Sequence, residues 1–173
     1  FKDSIKKLLT LVNYLKSIDI PIQHIDIGGG IGIQYDKEKP PNISEYAKTV
    51  KKILKGTGLK IIFEPGRVLI GNAGILLTTV EFIKNGAEKN FVVVDAAMND
   101  LMRPSLYSAF HKIVNLSESL SRRKKYDIVG PICETGDFLG KNRTLSVEEN
   151  NLLAILDVGA YGMSMSSNYN TRP

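Results

Sequence analysis

The sequence predicts an α/β part followed by a mostly β part, with the boundary near residue 75. Three observations predict it. Two stretches of helical spacing alternate with two short apolar runs before residue 64. Both short runs end in glycine-bearing turns, Gly28-Gly29-Gly30 and Glu64-Pro65-Gly66-Arg67. After residue 76 the helical period is lost, and apolar β-rich runs follow one another with turn residues between them.

Residues 4–18 place Ile5, Leu8, Leu9, Val12, Leu15 and Ile18 on one helical face, and Pro21 stops the helix. His24-Ile25-Asp26-Ile27 reads as a strand running into the glycine loop, and Pro40-Pro41 breaks the loop that follows. Asn42 or Ser44 can cap a second helix, whose inner face is Ile43, Tyr46, Ala47, Val50, Ile53 and Leu54 and which Gly56 and Gly58 end. Lys60-Ile61-Ile62-Phe63 is the next strand. Strand, helix, strand in that order predicts a parallel pair with a right-handed crossover. Its two glycine turns then sit at strand C-terminal ends, the ligand-binding edge of parallel α/β folds. Residues 76–83 and 91–96 predict a hairpin across Asn85-Gly86, and residues 126–130 and 152–158 two more strands. The expected domains are residues 1–75 and 76–173.

Composition excludes several classes. With 43% hydrophobic and 24% charged residues in 173, the chain is of globular type. No apolar run reaches the ~18 residues of a bilayer span, so no membrane partner is expected. The single cysteine, Cys133, rules out a disulfide within the chain and zinc sites built on paired cysteines; no metal is expected, and the setting is a reducing cytoplasm. The net charge is +5, but the lysines are scattered. The one dense cluster, Arg122-Arg123-Lys124-Lys125, reads as a solvated loop without interleaved aromatics, so no nucleic acid is expected.

Five segments carry chemistry. Glycines after a strand let backbone N–H groups surround an anion, phosphate above all; the same run also serves as a plain turn. A dinucleotide fingerprint needs G-x-G-x-x-G leading into a helix, and Ile33 stands where its third glycine belongs. Glu64 at a strand end can stay ionised beside Arg67 or accept a ligand N–H, or can simply close the strand. Arg103 and Tyr107 can hold a carboxylate by guanidinium fork and hydroxyl, or can be structural. Cys133, between Gly130-Pro131 and Gly136-Asp137, reads as a proton donor or as a small buried hydrophobe. Tyr161 and Tyr169 stand among small residues that permit close approach to a ligand, or are packed tyrosines in a Gly/Ser loop.

In this order, HIDIGGGIGIQY, FEPGR, VDAAMNDLMRPSLY, VGPICETGDFLG and GAYGMSMSSNYNTRP resemble the diaminopimelate decarboxylases over essentially the whole chain. These are pyridoxal-phosphate enzymes of the alanine-racemase-like type, fold type III. The resemblance implies an α/β barrel of the TIM type followed by a β sandwich or barrel domain, and a homodimer with its active sites at the subunit interface. Residues 1–75 would be the last strands and helices of the barrel, and 76–173 a β domain incomplete at its end. Pyridoxal 5'-phosphate would be held at Gly29, Gly30, Glu64, Pro65, Gly66, Arg67 and Tyr161. In that reading Glu64 keeps the pyridine nitrogen protonated, which makes the ring an electron sink. Arg67, Arg103 and Tyr107 would hold the substrate's distal carboxylate, Tyr161 would line the same site, and Glu134 would hold the distal ammonium. Cys133 would protonate the carbon left when carbon dioxide departs, reaching the site with Glu134 from the partner subunit.

The implied reaction is decarboxylation of meso-2,6-diaminopimelate to L-lysine. Charge supports that substrate, since its far end carries both an ammonium and a carboxylate. An ornithine or arginine-type decarboxylase, in which Asp usually follows the Cys, is the alternative, as is a non-catalytic homologue that binds a partner. The family's Schiff-base lysine and ring-stacking histidine lie in the N-terminal barrel half, which no segment here resembles. The expectation is therefore a C-terminal fragment, inactive and poorly folded alone, with open strand edges.

Overall fold

A computed structural model describes residues 1–172; Pro173, the last residue of the Gly159-to-Pro173 motif, lies outside the described residues. The chain divides into two compact units, Phe1–Gly32 with Lys39–Gly66, and Ile33–Glu38 with Arg67–Pro173.

The first unit alternates helix and strand: α1 (Lys2–Ser17), β1 (His24–Asp26), α2 (Ile43–Leu54) and β2 (Lys60–Ile62). Of the two candidate caps, Asn42 starts α2: its Oδ1 accepts from Ser44 N at 2.9 Å and Glu45 N at 3.3 Å. That satisfies two of the N–H groups a helix start leaves unpaired. Ile5 and Val12 from α1, Ile25 from β1, and Tyr46, Val50 and Leu54 from α2 form the buried faces. The strands pair in parallel, His24 opposite Lys60 through Asp26 opposite Ile62.

The second unit is a six-stranded mixed sheet. Its strands are β3 (Ile75–Asn85), β4 (Asn90–Val94), β5 (Ile113–Asn115), β6 (Lys124–Val129), β7 (Phe138–Leu145) and β8 (Leu152–Leu156), in the spatial order β5-β8-β3-β4-β6-β7. Only the β4–β6 pair is parallel. Strand β3 is the pivot: its first half pairs with β8 and its second with β4, and the register shifts between Val80 and Phe82. A bulge there bends the strand and raises its twist. The outer strands β5 and β7 consequently approach each other, and the sheet is nearly closed. Val80, Val92, Val94, Leu101, Ile128, Leu139, Leu153 and Ile155 fill its interior.

The second unit takes in Ile33–Glu38 and resumes at Arg67, ahead of the expected boundary at residue 75. The reason is hydrogen bonding: after the short α3 (Arg67–Ile70), Gly71 and Gly74 carbonyls accept from Gly159 N and Val158 N, each at 3.0 Å. The predicted β3–β4 hairpin forms, closed by Gly86 N to Lys89 O at 3.0 Å. The basic cluster is only half loop, because Lys124 and Lys125 open β6 with exposed side chains. Two strands escaped the sequence reading. β5 has three residues, and β7 carries Gly140-Lys141-Asn142 at its centre, a turn-like sequence. Asn142 adopts φ 55° there, and its N–H donates to Asp127 Oδ1 at 2.7 Å, so the strand continues through a local kink.

Candidate active site

In the first unit the parallel ladder runs on past the strand ends. Ile27 N donates to Ile62 O at 3.2 Å, and Glu64 N to Gly28 O at 3.0 Å. Asp26 Oδ1 accepts from Gly28 N at 2.7 Å and turns the chain. The glycine loop therefore lies along the Glu64-Pro65 turn. Gly28 and Gly30 have φ of 66° and 77°, conformations that side chains resist. A Cβ on Gly29 would run into the Glu64 carbonyl oxygen. Among the described residues, the N–H groups of Gly29, Gly30 and Gly66 donate to no protein acceptor. The Glu64 side chain is exposed.

In the second unit Arg67, Arg103, Tyr107, Tyr161 and Met165 line one cleft of about 340 Å³. Every residue expected to read the substrate lines it except Glu134. Arg67 is brought there by the α3 turn, which packs on the Val158-Gly159 segment so closely that a Cβ on Gly159 would meet the Ile70 carbonyl. Two residues on, Tyr161 sits at φ 65° with its ring 5.3 Å from the Arg67 guanidinium. A bulky residue in that region is strained by ~1–3 kcal/mol and needs surrounding structure to hold it. Asn99 helps to supply it: its Nδ2 donates to Ser167 O at 3.0 Å and Tyr169 O at 2.8 Å, and its main-chain carbonyl accepts from Ser167 N at 3.1 Å.

Arg103 starts the short α4 (Arg103–Tyr107) and is only 7% exposed. Its guanidinium lies 4.5 Å from the Tyr35 ring centroid, and its Nη1 is 2.8 Å from His111 Nε2. The His111 Nδ1 is 2.9 Å from the Leu156 carbonyl. A carbonyl can only accept, so Nδ1 carries the proton and Nε2 accepts from Arg103. Burial pushes the His111 pKa down; the Leu156 carbonyl and Asp157 oppose this, and the Arg103 and Arg143 charges add to it. Tyr35 is held by Glu38, whose carboxylate accepts from Tyr35 N at 2.8 Å and Asp36 N at 3.0 Å. The Glu38 backbone N–H first, then those of Tyr35 and Asp36, lower the Glu38 pKa. Among the described residues, neither Arg67 nor Arg103 forms an ion pair with a carboxylate.

Cys133 and Glu134 are exposed on the loop between β6 and β7 and do not line this cleft. The loop is anchored by Asp137, 4% exposed, whose carboxylate accepts from Met98 N and Ile132 N, each at 2.7 Å. Ser105 Oγ of α4 also donates to the Gly136 carbonyl. Sequence reasoning assigned no role to Tyr35, Glu38, Asn99, His111 or Asp137. The available signal was position: His111 follows RPSLYSAF, and Asp137 closes the Cys133 segment. No cluster of three or more His, Cys, Asp or Glu that could hold a metal exists among the described residues, and none of their helices is long and apolar enough to cross a membrane.

Residues 9–159 match the family model of the pyridoxal-dependent decarboxylase C-terminal sheet domain. The chain is 54% identical over 170 residues to diaminopimelate decarboxylase of Neisseria meningitidis serogroup A, covering 98% of this chain and 42% of that protein. It is 51% identical over 174 residues to the Vibrio cholerae enzyme of the same name, covering 100% and 42%. The crystal structure of diaminopimelate decarboxylase from Helicobacter pylori complexed with L-lysine superposes with a TM-score of 0.91 at 40% identity, covering 99% of this chain and 43% of that one. The chain thus spans about two fifths of the length of these relatives.

Proposed function

The chain belongs to the pyridoxal-dependent decarboxylases, and on that footing we propose that the complete protein removes carbon dioxide from meso-2,6-diaminopimelate to give L-lysine. One observation carries the substrate reading: the cleft holds two guanidinium groups, Arg67 and Arg103, with Tyr107 and Tyr161 and, among the described residues, without an acidic partner for either arginine. Such a cleft recognises a carboxylate. An amine with no distal carboxylate, as in ornithine decarboxylation, has no use for it. The names of the relatives support the same choice.

The residues present also fit pyridoxal 5'-phosphate. Gly29 leaves room where a Cβ would collide, and the Gly29, Gly30 and Gly66 N–H groups are unengaged among the described residues, as a phosphate cradle needs. Pro65 would shape the turn, Glu64 would accept the pyridinium N–H, and Arg67 and Tyr161 would also hold the cofactor. Bound there, the cofactor supplies the electron sink for the carbon that loses carbon dioxide. Arg67, Arg103 and Tyr107 grip the distal carboxylate and orient the substrate. Glu134 takes the distal ammonium, and the Cys133 thiol delivers a proton to the carbon just decarboxylated. Cys133 and Glu134 do this in the partner's site of a homodimer, which is how residues outside the cleft come to act in it. The first unit supplies the last strands of an α/β barrel, the second the sheet domain, and the remaining length of the protein the Schiff-base lysine. The isolated chain then neither folds robustly nor turns over substrate, and the protein works in the cytoplasm.

Assaying the full-length protein with diaminopimelate and ornithine in parallel tests the reading. Preference for diaminopimelate is expected; preference for ornithine overturns it. Decarboxylation by the 173 residues alone would refute the division of labour.

A further inference from the structure

Arg103 is buried as a cation with no counter-ion among the described residues. A buried charge is costly unless its donors are satisfied. Here two uncharged groups do this: the Tyr35 ring at 4.5 Å and the His111 Nε2 lone pair at 2.8 Å. The imidazole itself is locked. It is fully buried, its Nδ1–H is committed to the Leu156 carbonyl at 2.9 Å, and Tyr35 packs edge-on to it with centroids 5.1 Å apart. Any carboxylate in the place of His111 would hold the guanidinium equally well but would cancel its charge.

We infer that His111 is a positioning residue that fixes Arg103 through a neutral acceptor, so that the full positive charge is reserved for the substrate's distal carboxylate. Leu156 orients His111, His111 orients Arg103, and Arg103 faces the cleft with Arg67, Tyr107 and Tyr161. Specificity follows. A ligand with a distal carboxylate completes the ion pair that the protein leaves open, and one without it gains nothing from Arg103. This rests on the substrate reading above and assigns that reading's discrimination to a residue outside the cleft lining.

The test uses the full-length holoenzyme and two inhibitors that differ only by the carboxylate, L-lysine and cadaverine. In His111→Leu, KM for diaminopimelate and the L-lysine inhibition constant are expected to rise about tenfold or more, the loss of a hydrogen bond to a charged group. Inhibition by cadaverine and the cofactor absorbance are expected to stay unchanged. His111→Gln keeps a neutral acceptor and should recover most of the L-lysine affinity. His111→Asp keeps an acceptor but pairs the charge, and should lose L-lysine affinity while Arg103 stays anchored. A lysine-to-cadaverine ratio unchanged in the Asp variant, or in a folded Leu variant, overturns the inference, whatever happens to thermal stability. A wild type that prefers ornithine would instead sink the functional reading, so the two failures are separable.

Discussion

Replacing Asp137 by alanine should release the loop that carries Cys133 and Glu134. The carboxylate accepts two N–H bonds at 2.7 Å, from Met98 and Ile132, and the residue is 4% exposed. Hydrogen bonds to a charged group contribute ~1.5–3 kcal/mol each, which puts two at about 3–6 kcal/mol. Met98 and Ile132 are themselves only half-buried, so water can recover part of this once the carboxylate is gone. A net loss of about 2–4 kcal/mol in local stability is the working figure, or roughly 30- to 700-fold in the opening equilibrium. Hydrogen exchange of the full-length protein reads it directly: the Met98 and Ile132 amides should exchange at least about thirtyfold faster, up to the intrinsic rate. The sheet interior around Val92 and Ile155 should be unaffected. Turnover should fall with loop order while cofactor binding persists. Asp137→Asn, which retains one acceptor oxygen, should show a smaller effect. Unchanged exchange at Met98 and Ile132 in the alanine variant would refute the claim that this carboxylate clamps the loop.

Gly29→Ala should weaken cofactor binding about tenfold or more, because the new methyl displaces the Glu64 carbonyl and opens the cradle; titration of the cofactor absorbance checks it. Cys133→Ala should lower turnover with cofactor affinity unchanged, and equal loss of both would place the thiol in the fold rather than in proton delivery. His111 adds an acid sensitivity. Its folded-state pKa lies below the unfolded value of about 6.5, so the unfolded chain binds the proton more readily. The stabilisation is fully present above about pH 6.5 and is lost as pH falls from there through the depressed folded value. Thermal denaturation scanned over that interval should show a slope that His111→Gln lacks.

The alternation of helix and strand in the first unit was legible because it is local. α1, α2 and the two strands appear where helical spacing and apolar runs place them, and Asn42 caps where a polar side chain before an apolar period should. The β3–β4 hairpin was legible through Asn85-Gly86. Strand β7 was not, since Gly140-Lys141-Asn142 resembles a turn, and the kink at Asn142 is held in the strand by Asp127 on the neighbouring strand. β5 is too short to show a period of two.

The site divides the same way. By itself the sequence marked which side chains are equipped for the proposed chemistry: Arg67, Arg103, Tyr107, Tyr161, Cys133 and Glu134, together with the glycines and Glu64 of the two turns. Residue type and order suffice for that, because charge, thiol and missing Cβ are properties of single positions. Tertiary structure alone decided which of them meet. It gathered the two arginines and two tyrosines in one cleft, left Cys133 and Glu134 outside it, and laid Gly29 against the Glu64 carbonyl. It also recruited His111, Tyr35 and Asp137, whose parts depend on partners far along the chain: Leu156 for His111, Arg103 for Tyr35, Met98 for Asp137. A neutral imidazole beside a buried guanidinium leaves no mark in composition or spacing. It exists only once the sheet has closed around both.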